Sequence, residues 1–191
     1  IQQTANEPVT LTLYSTGVKI EFGTSGWRGK IGQDFVYSNV VRAVQGIAEY
    51  YKDKIKQGII LIGFDPRKNN DLLAQETACI LAANGIKSKI IKEEPTPTPV
   101  LAYLANSSNG EIAGVINFTA SHNPAIDSGL KFSPYHGGAA DKSATDAISQ
   151  FANTAKTYQM ISYASAKNIG LIAEMSVEEA VNKYVFTYVI P

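Results

Sequence analysis

Ala113-Gly114-Val115-Ile116-Asn117-Phe118-Thr119-Ala120-Ser121-His122-Asn123-Pro124, continued by Ala125-Ile126-Asp127-Ser128-Gly129-Leu130-Lys131-Phe132-Ser133-Pro134-Tyr135-His136-Gly137, is the stretch that decides how this chain reads. The apolar run Val115 to Phe118 has the length of a buried strand and stops where polar and turn-forming residues begin. Ser121 and His122 are thereby delivered to the mouth of a sheet, where α/β proteins place their chemistry. Pro124 lacks a backbone N–H and biases Asn123 away from the α region, so Ser121 to Pro124 form a fixed extended or turning loop rather than a helix start. Lys131 follows ten positions after Ser121, beyond Gly129, close enough for the loop to fold back and set an ammonium beside the serine. A turn in which Ser121 and Asn123 only satisfy backbone groups is the competing reading of these residues alone.

Upstream, residues 1–19 are polar and weakly patterned apart from a short strand at Val9 to Tyr14, and read as an N-terminal extension. Ile20 to Phe22 feeds a turn with glycines at 23, 26 and 29, whose amides can face an anion with Arg28 alongside. It is not a Walker loop, because Thr24 stands where that motif needs its first glycine and Ile31 where it needs Ser or Thr. From Ser38 as N-cap, Val41, Val44, Ile47, Ala48, Tyr51 and Ile55 recur at helical spacing, and Gly58 closes the helix.

Ile59 to Phe64 reads as a buried strand ending at Asp65-Pro66-Arg67. A helix spans about Asp71 to Asn84, with Leu72, Leu73, Thr77, Ile80 and Leu81 inward, and Ser88 to Lys92 is a further strand. Pro95-Thr96-Pro97-Thr98-Pro99 enforces extended backbone until Thr98 caps a helix over Val100 to Ala105, and Asn106 to Gly110 is a turn. After Gly137-Gly138, Asp141 caps a helix through Asn153, residues 154–172 read as irregular, and Val177 to Val189 reads as a second helix. Strands alternating with helices predict an α/β fold, a three-layer α/β/α sandwich around a largely parallel sheet.

Composition narrows the classes. Hydrophobic residues make up 45% and charged residues 18% of 191, which is ordinary for a globular chain large enough to bury a core. Lys plus Arg and Asp plus Glu both number 17, so no electrostatic footprint for nucleic acid or an anionic membrane is expected. No apolar run reaches the roughly 18 residues of a membrane span, and the amino end lacks a signal peptide's pattern. The chain begins at Ile1 without a methionine, which is expected of a trimmed start and leaves a removed targeting segment open. A single cysteine, Cys79, sits in a helical apolar pattern and fits a reducing, cytoplasmic location.

Thr119-Ala120-Ser121-His122-Asn123-Pro124 with Gly129-Leu130-Lys131 resembles the active-site serine loop of the α-D-phosphohexomutases, the family of phosphoglucomutase and phosphomannomutase. Phe22-Gly23-Thr24-Ser25-Gly26-Trp27-Arg28-Gly29 resembles the amino-terminal signature of the same family. Two such motifs in the right order, about a hundred residues apart, are far more specific than either alone. The resemblance runs from Ile20 onward and covers the first of the family's four domains, which makes the sheet mixed by adding an antiparallel partner. It divides the chain into an extension (1–19), a first domain with the serine loop (20–175) and a helix (176–191) leading toward a missing second domain.

In that family the serine carries a phosphoryl group donated to, and recovered from, a sugar phosphate. The resemblance therefore implies Ser121 as phosphoryl carrier, with Arg28, Lys131 and His122 as its catalytic companions. Thr24, Ser25, Gly26 and Asn123 are implied in substrate or phosphate binding. His122 also invites a hydrolase reading, but adjacent residues on extended backbone point to opposite sides and no Gly-X-Ser-X-Gly elbow occurs. Asp65 and Arg67 resemble the family's Gly-X-Asp-X-Arg segment, and a helix N-cap with a salt bridge explains them equally well. Tyr135 to Gly138 form a second glycine loop, and Trp27 reads as packed rather than stacked on a sugar.

Two departures stand beside these matches. The chain has Ser128-Gly129 where the family often has Asn-Gly, and no Asp-Gly-Asp-X-Asp-Arg sequence occurs, the family's metal loop in its second domain. Mg²⁺ is therefore expected to meet this chain only through a phosphate on Ser121. The implied function is the phosphoserine domain of an isomerase acting on a hexose phosphate, with a glucose 1,6-bisphosphate-type activator and with domains II to IV as partners. The fragment alone is expected to have negligible activity. A phosphoglucosamine mutase domain and a non-catalytic phosphosugar-binding module are the alternatives; in the first, aspartate usually stands where this chain has Ser25.

Overall fold

Three short runs form the middle of the sheet: β3 (Ile59–Phe64), β4 (Ser88–Lys92, apolar only at Ile90 and Ile91) and β5 (Ile112–Phe118). The structure, a computed structural model, describes residues 7–14, 16–54 and 57–189. Each of the three runs is parallel to its neighbour, and helices cross between them: α2 (Asn70–Ala83) joins β3 to β4, and α3 (Thr98–Asn106) joins β4 to β5. A parallel pair needs such a crossover, because its strands cannot be joined by a tight turn.

The sheet is completed by β2 (Trp27–Lys30), β6 (Asp127–Pro134) and β8 (Ile172–Ser176), giving the order β2-β6-β5-β3-β4-β8. β6 runs antiparallel to both β5 and β2, whereas β8 is parallel to β4. The sheet is thus mixed and mainly parallel, as expected. Val9–Thr12 (β1) pairs with Thr157–Met160 (β7) in a separate two-stranded ribbon.

Alternate strand residues supply opposite layers, as a period of two requires. On one face Ile60, Ile62, Phe64, Ile116 and Phe118 pack with Val44 and Ile47 of α1 (Tyr37–Lys54), Leu81 of α2 and Ile148 of α4 (Lys142–Thr154). On the other, Leu61, Ile91 and Val115 meet Leu101 and Leu104 of α3 and Ala180 of α6 (Val177–Tyr184). Each large aliphatic side chain taken fully out of water contributes about 1.5–3 kcal/mol, so both layers are strongly anchored to the sheet. Gly46 lets α1 and α4 close together, since a Cβ there would lie 2.7 Å from the Ile148 carbonyl oxygen. Among the described residues no helix is long and apolar enough to cross a membrane.

Several local expectations need correction. Residues 154–172 are not irregular: they hold β7, α5 (Tyr163–Asn168) and the start of β8. The second helix over Val177 to Val189 changes character after Tyr184, continuing as a π-helical turn over Val185–Val189. Thr98 is not the cap of α3; Pro97 is, and Thr98 Oγ1 instead accepts from Asn117 Nδ2 at 3.0 Å. Ser38 lies inside α1 rather than before it, and Leu72 is 55% exposed rather than inward. Asp141 does cap α4, accepting from the Ala144 amide at 2.8 Å. Ile55, assigned to the apolar face of α1, lies outside the described residues.

Candidate active site

The serine loop begins where β5 ends. Thr119 donates its amide to the Gly129 carbonyl at 2.9 Å, which carries the β5–β6 pairing one step past the strand. Thr119 Oγ1 then accepts from the Ser121 amide at 3.0 Å, and the Asn123 amide donates to Ala120 O at 3.1 Å. These bonds turn the chain sharply, and Ser121 takes φ 55°, the left-handed region that a side chain with a Cβ rarely enters. Asp127 N donates to Pro124 O at 3.0 Å and closes a second turn that returns the chain into β6.

Arg28 reaches this loop from β2, where it stands opposite Gly129 of β6. Its Nη1 donates to Asn123 Oδ1 at 2.8 Å and its Nη2 to Ser121 Oγ at 3.1 Å. Asn123 is oriented in turn by donating to Asp127 Oδ2 at 3.0 Å. Arg28 Nε is buried without a partner, and the contacts of the cationic fork with the loop are made by Nη1 and Nη2. A guanidinium so placed suits a phosphoryl group, whose oxygens match its planar donors.

The glycine turn forms the other wall. Gly23 and Gly26 exchange backbone hydrogen bonds of 3.1 and 3.0 Å, which leaves Thr24 and Ser25 exposed at the tip. Gly26 has φ 86°, and a Cβ there would meet Leu130 O at 2.4 Å and Lys131 Cα at 2.8 Å, so only glycine lets the turn press on β6. Trp27 is buried and stacks on Phe35 with ring centroids 5.0 Å apart, as expected of a packed residue.

The other implied residues are placed differently. Lys131 sits in register with Asn117 and lines a small recess with Thr98, Ser133 and Gly137; among the described residues its ammonium makes no hydrogen bond or ion pair, with Ser121 or otherwise. His122 is exposed beside Ser121 and is likewise unbonded among them. Tyr135 to Gly138 make a turn in which Gly138 N donates to His136 Nδ1 at 3.1 Å. Beside Ser121 opens a cleft of about 750 Å³, lined by Asp65, Arg67, Lys68, Thr96, Thr98 and Asn123 among others. It lies outside the carboxyl ends of β3, β4 and β5, the usual binding position in an open α/β sheet, and its size suits a small ligand.

Asp65 and Arg67 do form the salt bridge that a structural reading requires, at 2.9 Å, but Asp65 does not cap α2, whose N-cap is Asn69. Sequence reading passed over Asn70 and noted Ser128 only as a departure from the family's Asn-Gly; both are fully buried beneath the loop. Asn70 donates to Asp65 Oδ1 at 2.8 Å and to Phe118 O at 3.1 Å, and Ser128 Oγ donates to Asn70 Oδ1 at 2.8 Å. Nothing in the sequence marked either as a buried hydrogen-bonding residue, because polar residues next to turns are usually exposed.

A metal centre is not built from these residues. Among the described residues no cluster of three or more His, Cys, Asp or Glu could hold an ion. The carboxylates nearest the loop, Asp65 and Asp127, already accept from Arg67, Asn70 and Asn123. The protein side chains here therefore do not fit a Mg²⁺ site on their own.

Comparison with known proteins places the chain in a family. A family model described as phosphoglucomutase/phosphomannomutase, alpha/beta/alpha domain I, matches residues 19–159. A phosphoglucomutase of Komagataeibacter xylinus is 33% identical over 141 residues, covering 71% of this chain and 25% of that protein. A phosphoglucosamine mutase of Campylobacter lari is 34% identical over 129 residues, covering 68% of this chain and 28% of that protein. The chain thus spans about a quarter of the length of the curated relatives it matches. In fold, it superposes on the open form of the Paramecium phosphoglucomutase pp63/parafusin with a TM-score of 0.78, at 24% identity, over 92% of this chain and 36% of that one. The chain belongs to the phosphoglucomutase/phosphomannomutase family and carries the α/β/α domain I of that family.

Proposed function

We propose that this chain is the phosphoserine domain of a phosphohexomutase, with Ser121 as phosphoryl carrier. The observation that carries the reading is the Arg28 fork, which holds Ser121 Oγ and Asn123 Oδ1 at the mouth of the cleft. A serine hydroxyl in a merely structural turn has no need of a guanidinium drawn from another strand.

In the first half-reaction the phosphoryl group leaves Ser121 Oγ for the 6-hydroxyl of a hexose 1-phosphate. The Oγ–P bond breaks, the O6–P bond forms, and the hydroxyl proton ends on Oγ. The resulting bisphosphate turns over and returns its other phosphoryl group, so that the O1–P bond breaks, the Oγ–P bond is remade and the proton ends on O1. Positioning and charge stabilisation dominate such transfers. Arg28 supplies charge at Oγ, Asn123 fixes Arg28, and Thr24, Ser25 and Gly26 shape the anion-facing turn. The family resemblance gives Lys131 and His122 the remaining roles, an ammonium and an imidazole that meet the substrate phosphate or help to move the proton.

Mg²⁺ would neutralise phosphate charge in the intact enzyme, with Ser121 contributing through its phosphate and the remaining ligands coming from outside this chain. The helix and turn over 177–189 lead toward those further domains, which would also select the sugar. A bisphosphate of the glucose 1,6-bisphosphate type would serve as activator by phosphorylating Ser121. Between glucose, mannose and glucosamine phosphates, Ser25 favours the first two.

The test is mutase turnover of the full-length gene product with hexose 1-phosphates. The reading expects turnover that the Ser121→Ala variant lacks, and none from the 191-residue chain alone. Undiminished turnover in Ser121→Ala would contradict it.

A further inference from the structure

Arg67 is drawn into the serine loop more completely than Arg28. A guanidinium has five N–H donors, and every one of Arg67's is committed. Nε donates to Asp65 Oδ2 at 2.9 Å, Nη1 to Pro124 O at 2.8 Å and Asp127 O at 3.0 Å, and Nη2 to Ser121 O at 2.8 Å and Asn123 O at 2.9 Å. Four carbonyls of one loop thus converge on one side chain, whose exposure is only 11%.

The arginine is itself held. Asp65 Oδ2 takes its Nε, while Asp65 Oδ1 accepts from the Arg67 amide at 3.1 Å and from Asn70 Nδ2 at 2.8 Å. Asn70 is fixed to Phe118 O and Ser128 Oγ, the last residue of β5 and the second residue of β6. Asp65 N donates to Phe118 O at 2.9 Å, which ties the end of β3 to the end of β5. The loop therefore rests on a rigid base at both of its ends and is clasped across its middle.

We infer that Arg67 is a positioning residue for the phosphoryl carrier: it holds Ser121 in its left-handed conformation and so aims Oγ at Arg28 and the cleft. The inference rests on the reading of Ser121 as carrier for its catalytic consequence, but its structural half stands separately. A left-handed serine is intrinsically unfavourable, because its Cβ crowds the backbone. It persists only where surrounding contacts fix it, and the bond from Arg67 to the Ser121 carbonyl acts on the strained residue itself. Lysine could not substitute: it keeps the charge, but three donors on a flexible stem cannot hold five acceptors in a plane.

Two measurements on the full-length gene product test this, with Arg67→Lys and Arg67→Ala beside the wild type. The first is hydrogen exchange of the amides in residues 119–127. Both variants are expected to speed it by about tenfold or more, while exchange in β3 and β5 is unchanged. The second is the single-turnover rate of Ser121 phosphorylation by glucose 1,6-bisphosphate, expected to fall about 100-fold in both variants, as a misplacement of about 1 Å produces, and to recover in part when guanidinium ion is added to Arg67→Ala. Variants that match the wild type in loop exchange overturn the inference, as does an Arg67→Lys protein with a wild-type phosphorylation rate. If wild-type Ser121 takes no phosphate while loop exchange responds as stated, the carrier reading fails and the clasp stands.

Discussion

Arg28 Nη2 donates to Ser121 Oγ at 3.1 Å although 93 positions separate the two residues in sequence. The pairing of β2 with β6 makes the approach possible, because it places Arg28 opposite Gly129, the residue whose carbonyl accepts from Thr119 at the root of the serine loop. Charge alone does not define this contact, since the same guanidinium also holds Asn123. Arg28→Lys is accordingly expected to lower the rate of Ser121 phosphorylation by about 100-fold, the usual loss on removing a directed donor from a developing charge. Rapid-quench measurement on the full-length gene product checks this, and a loss below about threefold would show that the fork is dispensable.

The conformation of Ser121 makes a prediction about stability that runs against the one about activity. Both Ser121→Ala and Ser121→Gly remove the hydroxyl, but only glycine accepts φ 55° without strain. Ser121→Gly is expected to be about 1 kcal/mol more stable than Ser121→Ala in urea unfolding, with neither able to carry phosphate. Equal stabilities would mean that the loop relaxes once the hydroxyl is gone.

Gly26 stands where a side chain has no room. A Cβ would fall 2.4 Å from Leu130 O, a backbone atom of the sheet that cannot swing aside, and φ 86° adds its own penalty. Gly26→Ala is expected to cost about 2 kcal/mol, read as a lower urea midpoint at unchanged slope.

Glu174, on β8, gives the fold an acid-sensitive tie. Its carboxylate is held well below the usual 4.5, at about 2, chiefly by the hydrogen bond from Lys167 at 2.6 Å and further by Tyr163 and Lys92, against the opposing effect of burial. A folded-state value below the unfolded one means that the contribution is complete above about pH 4.5 and is lost as pH falls toward about 2. Glu174→Gln is therefore expected to lose stability near neutral pH and to show a flatter acid limb than the wild type. A parallel pair of pH–stability curves would refute the assignment.

The sequence was most informative where one physical signal acts alone. The uninterrupted apolar run 59–64 coincides with β3, because a strand buried on both faces needs apolar residues throughout. Asp141 was legible as a cap for a similar reason: its carboxylate serves an amide three residues away. By contrast β6 and β8 carry Ser, Gly, Lys and Glu among their apolar residues, and their strand character comes from partners far along the chain. The serine loop and the Arg28 turn were legible as motifs, but their contact depends on a strand pairing that no local pattern records. Arg67 shows the limit most clearly. Its bond to Asp65 spans two residues and was foreseen, whereas its four bonds to the loop span 54 to 60 and were not.

The most direct test of the central claim is peptide mapping by mass spectrometry of the full-length gene product after incubation with glucose 1,6-bisphosphate and Mg²⁺. The account predicts one added phosphate, located on Ser121, which, when isotopically labelled, passes into hexose phosphate on addition of unlabelled hexose 1-phosphate. A protein that turns over hexose phosphates while Ser121 stays unmodified throughout, or that carries its phosphate on another residue, would contradict it.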